Sequence, residues 1–249
     1  MLPADLTAAL PRLAARRPLL VASDYDGVLA RLRDDPSAAV PEPGAADALA
    51  RLAGHDGVTV ALVSGRGVDD LRTTSGLTGA YRFVGSHGAE FDGPITGELA
   101  GRRDDLAQRL APLVAGTPAA RLEVKPASVA VHVRQVTDRT AAARLLARAD
   151  ELAGPEITRK PGKDVLELAV TDADKGSAVR RLRDELGAAA VVYLGDDVTD
   201  EDVFAVLGAD DLGVKVGPGQ TQAGARVDDP AAVLALLGEL DAALARPRG

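Results

Sequence analysis

The sequence predicts an α/β protein, a doubly wound parallel sheet into which a smaller α+β domain is inserted. Three observations predict it. Short apolar runs alternate with stretches of helical periodicity, and each run stops at a polar turn. After about Gly93 the rhythm changes to paired, half-polar strands. From about Thr171 the first rhythm returns and continues to the end of the chain.

Taken in order, Asp5–Arg16 carries apolar residues at helical spacing and stops at Arg17-Pro18. Leu19–Ala22 is a buried strand running into Ser23-Asp24-Tyr25-Asp26-Gly27. A helix over Ala45–Ala53 leads to a second buried strand, Val58–Val63, which ends at Ser64-Gly65-Arg66-Gly67. A helix over Val68–Thr74 and a strand over Arg82–Gly85 complete a β-α-β-α-β core. The insert opens with a helix over Leu99–Val114, followed by strands Arg121–Lys125 and Ser128–Arg134 joined at Pro126-Ala127. In the second strand Val129, Val131 and Val133 point one way, and Ala130, His132 and Arg134 the other. A helix over Asp138–Ala153 and a hairpin of Ile157–Lys160 with Val165–Val170, turning at Pro161-Gly162, close the insert. The core resumes with a helix over Lys175–Leu186 and a strand over Ala190–Leu194 ending at Gly195-Asp196-Asp197. A helix from near Thr199, a strand over Gly213–Val216 and a helix over Ala231–Ala245 follow. The expected domains are 1–95 with 172–249 as the core, and 96–171 as the insert.

Composition narrows the function. The 249 residues suit one ordinary domain and a smaller second one. No cysteine is present, which excludes disulfides and thiolate chemistry, and three scattered histidines argue against a His-rich zinc site. A net charge of −8 without a basic cluster, and only 2% aromatic residues, argue against a nucleic-acid partner. No apolar stretch reaches the roughly 18–20 residues of a membrane span and no basic-then-apolar leader opens the chain, so a soluble cytoplasmic protein is expected. Of 29 basic residues only five are lysines, and Lys125, Lys160, Lys163 and Lys175 fall close together. Such clustering in an arginine-biased chain draws attention to them as ligands.

Three apolar strands end in Asp24 and Asp26, in Ser64, and in Asp196 and Asp197. The carboxyl ends of parallel strands lie along one edge, where ligands bind, so these distant residues should converge. Carboxylates crowded in one pocket repel, and a hard cation such as Mg²⁺ is the simplest remedy. Lys175 opens a helix after the insert and supplies positive charge for a bound anion. Taken singly, each feature has a plainer reading: an Asp-x-Asp-Gly turn, a serine helix cap, aspartates capping the next helix. Their order at successive strand ends, with a lysine between, favours chemistry.

Asp24-Tyr25-Asp26-Gly27-Val28, Ser64-Gly65-Arg66, Lys175-Gly176 and Gly195-Asp196-Asp197-Val198-Thr199-Asp200 resemble the four motifs of haloacid dehalogenase (HAD) superfamily phosphatases. The resemblance covers nearly the whole chain. It implies a HAD-like, Rossmannoid core and makes the insert a cap domain for substrate specificity. It further implies that Asp24 is the nucleophile and Asp26 the general acid and base. By the same resemblance Mg²⁺ is held by Asp24, the Asp26 carbonyl and Asp196. The phosphate would be bound by Asp24, Tyr25, Asp26, Ser64, Gly65 and Lys175, with Asp197 and Asp200 orienting Lys175 and metal-bound waters. Val28 departs from the pattern, which usually has Thr there.

Gly85-Ser86-His87-Gly88-Ala89-Glu90, Glu123-x-Lys125-Pro126-x-Ser128, His132-Val133-Arg134 and Gly162-Lys163-x-x-x-Glu167 resemble trehalose-6-phosphate phosphatases. The likeness implies that Glu123, Lys125, Arg134, Lys163 and Glu167 grip sugar hydroxyls, with His87 beside them. It implies a small-molecule sugar phosphate as substrate, a monomer, and a functional link to a sugar-phosphate synthase. The rival readings are a relative acting on sucrose phosphate, a mannosylglycerate phosphate or a pseudo-disaccharide phosphate, and a non-catalytic sugar-phosphate sensor. A phosphomutase is disfavoured because only about 37 residues separate Asp26 from Ser64, too few for the helical cap such enzymes carry there. A receiver domain is disfavoured by the length and the insert.

Overall fold

The computed structural model describes residues 2–33 and 35–246. In chain order the elements are α1 (Ala4–Ala14), β1 (Leu19–Ser23), α2 (Ala45–Ala53), β2 (Val58–Val63), α3 (Val68–Ser75), β3 (Arg82–Gly85) and β4 (Glu90–Phe91). Then come α4 (Gly97–Ala115), β5 (Arg121–Lys125), β6 (Ser128–His132), α5 (Arg139–Ala153), β7 (Thr158–Gly162) and β8 (Val165–Ala169). The chain ends with α6 (Lys175–Leu186), β9 (Ala190–Gly195), α7 (Glu201–Phe204), β10 (Leu212–Val216), β11 (Ala225–Val227) and α8 (Pro230–Leu244). It divides into two compact units. The segments up to Gly93 and from Ala173 onward form one, and Pro94–Asp172 forms the other.

The first unit is built on one sheet of order β11-β10-β9-β1-β2-β3-β4, parallel except where β4 runs against β3. β1 is buried along its whole length because it lies mid-sheet with helices over both faces, which is why it reads as a continuous apolar run. One face packs Leu19, Val21, Val60, Leu62 and Val192 with Leu10, Leu49, Leu236 and Leu240 of α1, α2 and α8. The other packs Leu20, Ala22, Val63 and Val191 with Val179 and Leu182 of α6 and Phe204 of α7. From β1 the chain steps outward to β2 and β3, and later to β9 and β10 on the other side. The strand order therefore reverses between β1 and β9, and that junction opens a crevice at the carboxyl edge. Ser23 is in register with Leu62 of β2 and Leu194 of β9, so all three strands end at one level.

The second unit is a four-stranded antiparallel sheet, order β5-β6-β8-β7, with α4 and α5 over one face. Val129, Val131, Leu166 and Leu168 point into that core with Leu106, Leu110, Leu145 and Ala149 of the helices. The opposite face carries Glu123, Lys125, Ser128, His132, Lys160 and Glu167, as the period of two requires. Pro126-Ala127 forms the expected two-residue turn, with Lys125 paired to Ser128. The second hairpin differs from expectation. Pro161 and Gly162 belong to β7, and the turn is Lys163-Asp164, with Asp164 at φ 60°. Proline is tolerated because β7 is an edge strand, where no neighbour needs its missing N–H. Two short strands, β4 and β11, were not predicted, having only two and three residues.

Leu168 is fully buried in the core of the second unit. Leu168→Ala is expected to cost about 2–5 kcal/mol through lost apolar contact and a residual cavity. Urea denaturation followed by circular dichroism measures it.

Candidate active site

Asp24 follows β1 directly. Its N–H donates to the Leu194 carbonyl at 2.9 Å, which ties the first loop to β9. The residue is 5% exposed, and its side chain accepts from the Tyr25 N–H at 2.6 Å and from Lys175 Nζ at 2.5 Å. Lys175, 1% exposed, is the first residue of α6, whose N-terminus is fixed by a reciprocal cap between Asp174 and Ser177. Its ammonium also donates to Asp200 Oδ1 at 2.8 Å. Asp200 accepts a second bond on that oxygen from the Tyr193 hydroxyl at 2.6 Å. Its other oxygen accepts from the N–H groups of Asp196 and Asp197 at 2.8 and 2.9 Å. Four donors converge on one buried carboxylate, so Asp200 is a fixed brace beneath the crevice.

The charges set the electrostatics. Burial pushes the Asp24 carboxyl up to about 7 against the pull of Lys175, and Asp200 adds to the rise. Burial and Asp200 likewise push Asp196 up to about 6, against the pull of Lys175 and Lys215. Burial alone would lower Lys175, but the carboxylates of Asp24 and Asp200 outweigh it and push the ammonium up to about 12. The lysine is therefore charged throughout the physiological range, while negative charge at the strand ends stays incompletely met.

A cleft of about 560 Å³ opens here, lined by Asp24, Asp26, Ser64, Gly65, Arg66, His87, Lys175 and Asp196 among others. Ser64 directly follows β2 and is 1% exposed, with its Oγ accepting from the Arg66 N–H at 3.2 Å. His87, at φ 57°, turns its ring against Gly65, where an added Cβ would lie 2.6 Å from the imidazole. Gly27 has the same logic at closer quarters. Its φ is 78°, and a Cβ there would lie 2.0 Å from Asp196 Oδ2, so the first loop approaches Asp196 only as glycine. Oxygen atoms of Asp24, Asp196 and Asp200 lie within 4.8 Å of one another. Asp200 is taken up by its four donors, and the remaining oxygens of Asp24 and Asp196, with unmet negative charge, fit a hard divalent cation such as Mg²⁺.

Several expected residues have partners of their own. The Asp197 side chain is exposed and accepts from the Val198 N–H at 2.7 Å, capping the turn, while the contacts to Lys175 belong to Asp24 and Asp200. The Tyr25 ring is buried, its hydroxyl donating to the Ala39 and Thr74 carbonyls. Val28 is fully buried in the apolar core. In the second unit Lys125 Nζ donates to Glu167 at 2.6 Å and Ser128 Oγ to the same carboxylate at 2.8 Å. Burial works the other way, but these bonds and the lysine charges hold Glu167 below the usual carboxylate range. Glu123 lies 2.7 Å from His132 Nε2. Arg134 and Lys163 are exposed at the sheet end where the Val133 N–H donates to the Asp164 carbonyl at 2.9 Å.

Three site residues carried no role in the sequence reading. Arg66 donates to Asp26 through Nε at 2.6 Å and a terminal nitrogen at 2.8 Å. Tyr193 holds Asp200. Lys215, 5% exposed, donates to the Asp196 carbonyl and, at 3.2 Å, to that of Val216. In the sequence Arg66 is marked only by the Ser64-Gly65-Arg66 motif and Lys215 only by the scarcity of lysine.

The profile of the family described as trehalose-phosphatase matches residues 22–229. The chain belongs to that family. It is 37% identical to a trehalose-phosphate phosphatase of Mycobacterium leprae over 135 residues, covering 50% of this chain and 30% of the relative. With that of Mycobacterium avium it shares 37% over 160 residues, covering 59% and 40%. The chain thus spans well under half the length of these curated relatives. Its fold resembles that of Aspergillus fumigatus trehalose-6-phosphate phosphatase, with TM-score 0.76 and 25% identity over 95% of this chain and 97% of the other. It also resembles a trehalose-6-phosphate phosphatase related protein, with TM-score 0.67 and 26% identity over 90% and 97%.

Lys175→Met leaves Asp24 and Asp200 buried without their cation, an expected loss of about 3–5 kcal/mol. The loss shrinks on going from about pH 8 to about pH 5.5, because the orphaned Asp24 takes up a proton and sheds its charge. Urea denaturation at both pH values, in EDTA, reads the difference.

Proposed function

We propose that this protein is a Mg²⁺-dependent phosphatase that hydrolyses trehalose 6-phosphate through an aspartyl-phosphate intermediate on Asp24. The observation that carries this reading is the bridge from Lys175 to Asp24 and Asp200, at the point where the strand order reverses, in a cleft shared with Asp26, Ser64 and Asp196. Family membership supports the substrate.

In the proposed reaction Asp24 attacks phosphorus in line and the bond from phosphorus to the sugar oxygen breaks. Asp26 gives a proton to the departing oxygen, then takes one from the water that attacks the phosphoenzyme and releases Asp24. Ser64, the Gly65 N–H and Lys175 hold the phosphoryl oxygens, and Lys175 offsets the charge that develops on them. Asp24, Asp196 and the Asp26 carbonyl would hold Mg²⁺, which when bound polarises the phosphoryl group and screens the nucleophile from it. Asp200 holds Lys175 and the Asp196 loop in place.

The charged sheet face of the second unit is proposed to read the sugar. Glu123, Lys125, Arg134, Lys163 and Glu167 would bind its hydroxyls, with His87 at the phosphate end. The reading carries a cytoplasmic monomer supplied by a sugar-phosphate synthase. No described helix is long and apolar enough to cross a membrane.

Phosphate release from trehalose 6-phosphate, sucrose 6-phosphate and glucose 6-phosphate tests the proposal. Release is expected from the first, to disappear with EDTA, and to fall by at least about 10⁴-fold in Asp24→Asn. Release from another sugar phosphate alone would transfer the mechanism to that substrate. No release from any would favour a sensor. A second outcome concerns pH. Asp24 and Asp196 are raised from 3.8 to about 7 and about 6, so the metal-free fold loses their contribution as pH rises through that window. Cation binding needs both ionised, so the Tm gain from Mg²⁺ over EDTA is expected to grow from about pH 5 to about pH 8. Differential scanning fluorimetry measures it.

A further inference from the structure

Asp26 and Asp24 stand two residues apart on one loop but are held by different cations. Lys175 braces Asp24, while Arg66 takes both oxygens of Asp26 in a side-on fork at 2.6 and 2.8 Å. The fork is itself fixed. Its third nitrogen donates to Asp70, in the first turn of α3, at 2.9 Å, and the guanidinium lies 5.6 Å from the centre of the buried Tyr25 ring. The Arg66 side chain is 8% exposed, whereas those of Asp26 and Asp70 are 30% and 56% exposed. The guanidinium is thus a buried anchor, and Asp26 is the outer, cleft-lining partner.

A two-point planar contact fixes both position and rotation of a carboxylate, which a single ammonium does not. Each Asp26 oxygen keeps a second lone-pair direction, so the fork orients the group without closing it to a proton. Arg66 sits two residues after Ser64, so one short turn after β2 holds both the Ser64 hydroxyl and the guanidinium that aims Asp26.

We propose that Arg66 is the positioning residue for Asp26, aiming its carboxyl group at the sugar oxygen for proton transfer. The inference rests on the phosphatase reading and adds a role for a residue that reading leaves without one. It separates from a purely structural role by leaving-group dependence. A sugar alkoxide needs a proton as it departs, whereas 4-nitrophenolate does not.

The experiment measures kcat and KM of wild type, Arg66→Lys, Arg66→Gln, Asp26→Asn and the Arg66→Gln/Asp26→Asn double variant on trehalose 6-phosphate and 4-nitrophenyl phosphate. Both single Arg66 variants are expected to lose roughly 10–100-fold in kcat on the sugar phosphate, with a loss at least about 10-fold smaller on the aryl phosphate. Lysine keeps the charge but not the fork, so it should not restore the rate. Adding Arg66→Gln to Asp26→Asn should cost no more than about two-fold further, because the arginine acts through the aspartate. Equal losses on both substrates, a multiplicative double variant, or wild-type kcat in Arg66→Lys would each overturn the inference. Failure of the phosphatase reading shows instead in the wild type, as no turnover of either substrate. Thermal melts of each variant separate misfolding from misplacement.

Discussion

A buried lysine ammonium shared between two carboxylates is the constraint on which the first unit depends. Lys175, Asp24 and Asp200 are each nearly inaccessible, and an unpaired charge in such a place would cost several kcal/mol. Their neighbours follow from that. Tyr193 buries its hydroxyl on Asp200, and the turn after β9 folds so that two N–H groups reach the same side chain. Gly195 is required because a Cβ would lie 2.4 Å from Asp200, and Gly176 because one would lie 2.2 Å from the Asp202 carbonyl. The ammonium also joins the end of β1, 151 residues away in the chain, to α6 and to the turn after β9, 25 residues on.

The two units solve the same packing problem with opposite surfaces. In the first the sheet is covered on both faces, so polar chemistry is confined to the strand ends. In the second only one face is covered, which leaves the other for charged side chains at alternate positions. That face is internally paired, Lys125 with Glu167 and His132 with Glu123. Pre-formed pairs of this kind hold donors and acceptors in fixed directions, and the proposed hydroxyl recognition would draw on such pre-organisation.

Strands and helices with several residues of pattern were legible in the sequence. Val58–Val63, Arg82–Gly85, Ala45–Ala53 and Lys175–Leu186 coincide with β2, β3, α2 and α6. β4 and β11 were not legible, since a two- or three-residue strand exists through its partner and not through its own periodicity. Pro161-Gly162 misled because a proline-glycine pair signals a turn unless the strand is an edge. At the site, the strand-end rule found Asp24, Ser64 and Asp196, because topology alone brings them together. It could not choose between Asp197 and Asp200 as the partner of Lys175. That choice depends on how the turn after β9 is wound, and the one four residues beyond Asp196 is the one tucked beneath it.

The different cations on Asp24 and Asp26 suit the different motions the proposed reaction asks of them. A nucleophile must exchange its partner as it bonds to phosphorus, and an ammonium with three rotatable donors can follow from carboxylate to phosphoryl oxygen without moving its stem. A proton carrier must instead keep one orientation through two steps, and a planar fork anchored at its far side by Asp70 holds that orientation. Interchanging the two cations would leave the net charge unaltered and defeat both tasks. Charge alone therefore does not specify this site. The geometry of each donor does, and the arginine bias of the chain makes a buried lysine on Asp24 the more telling choice.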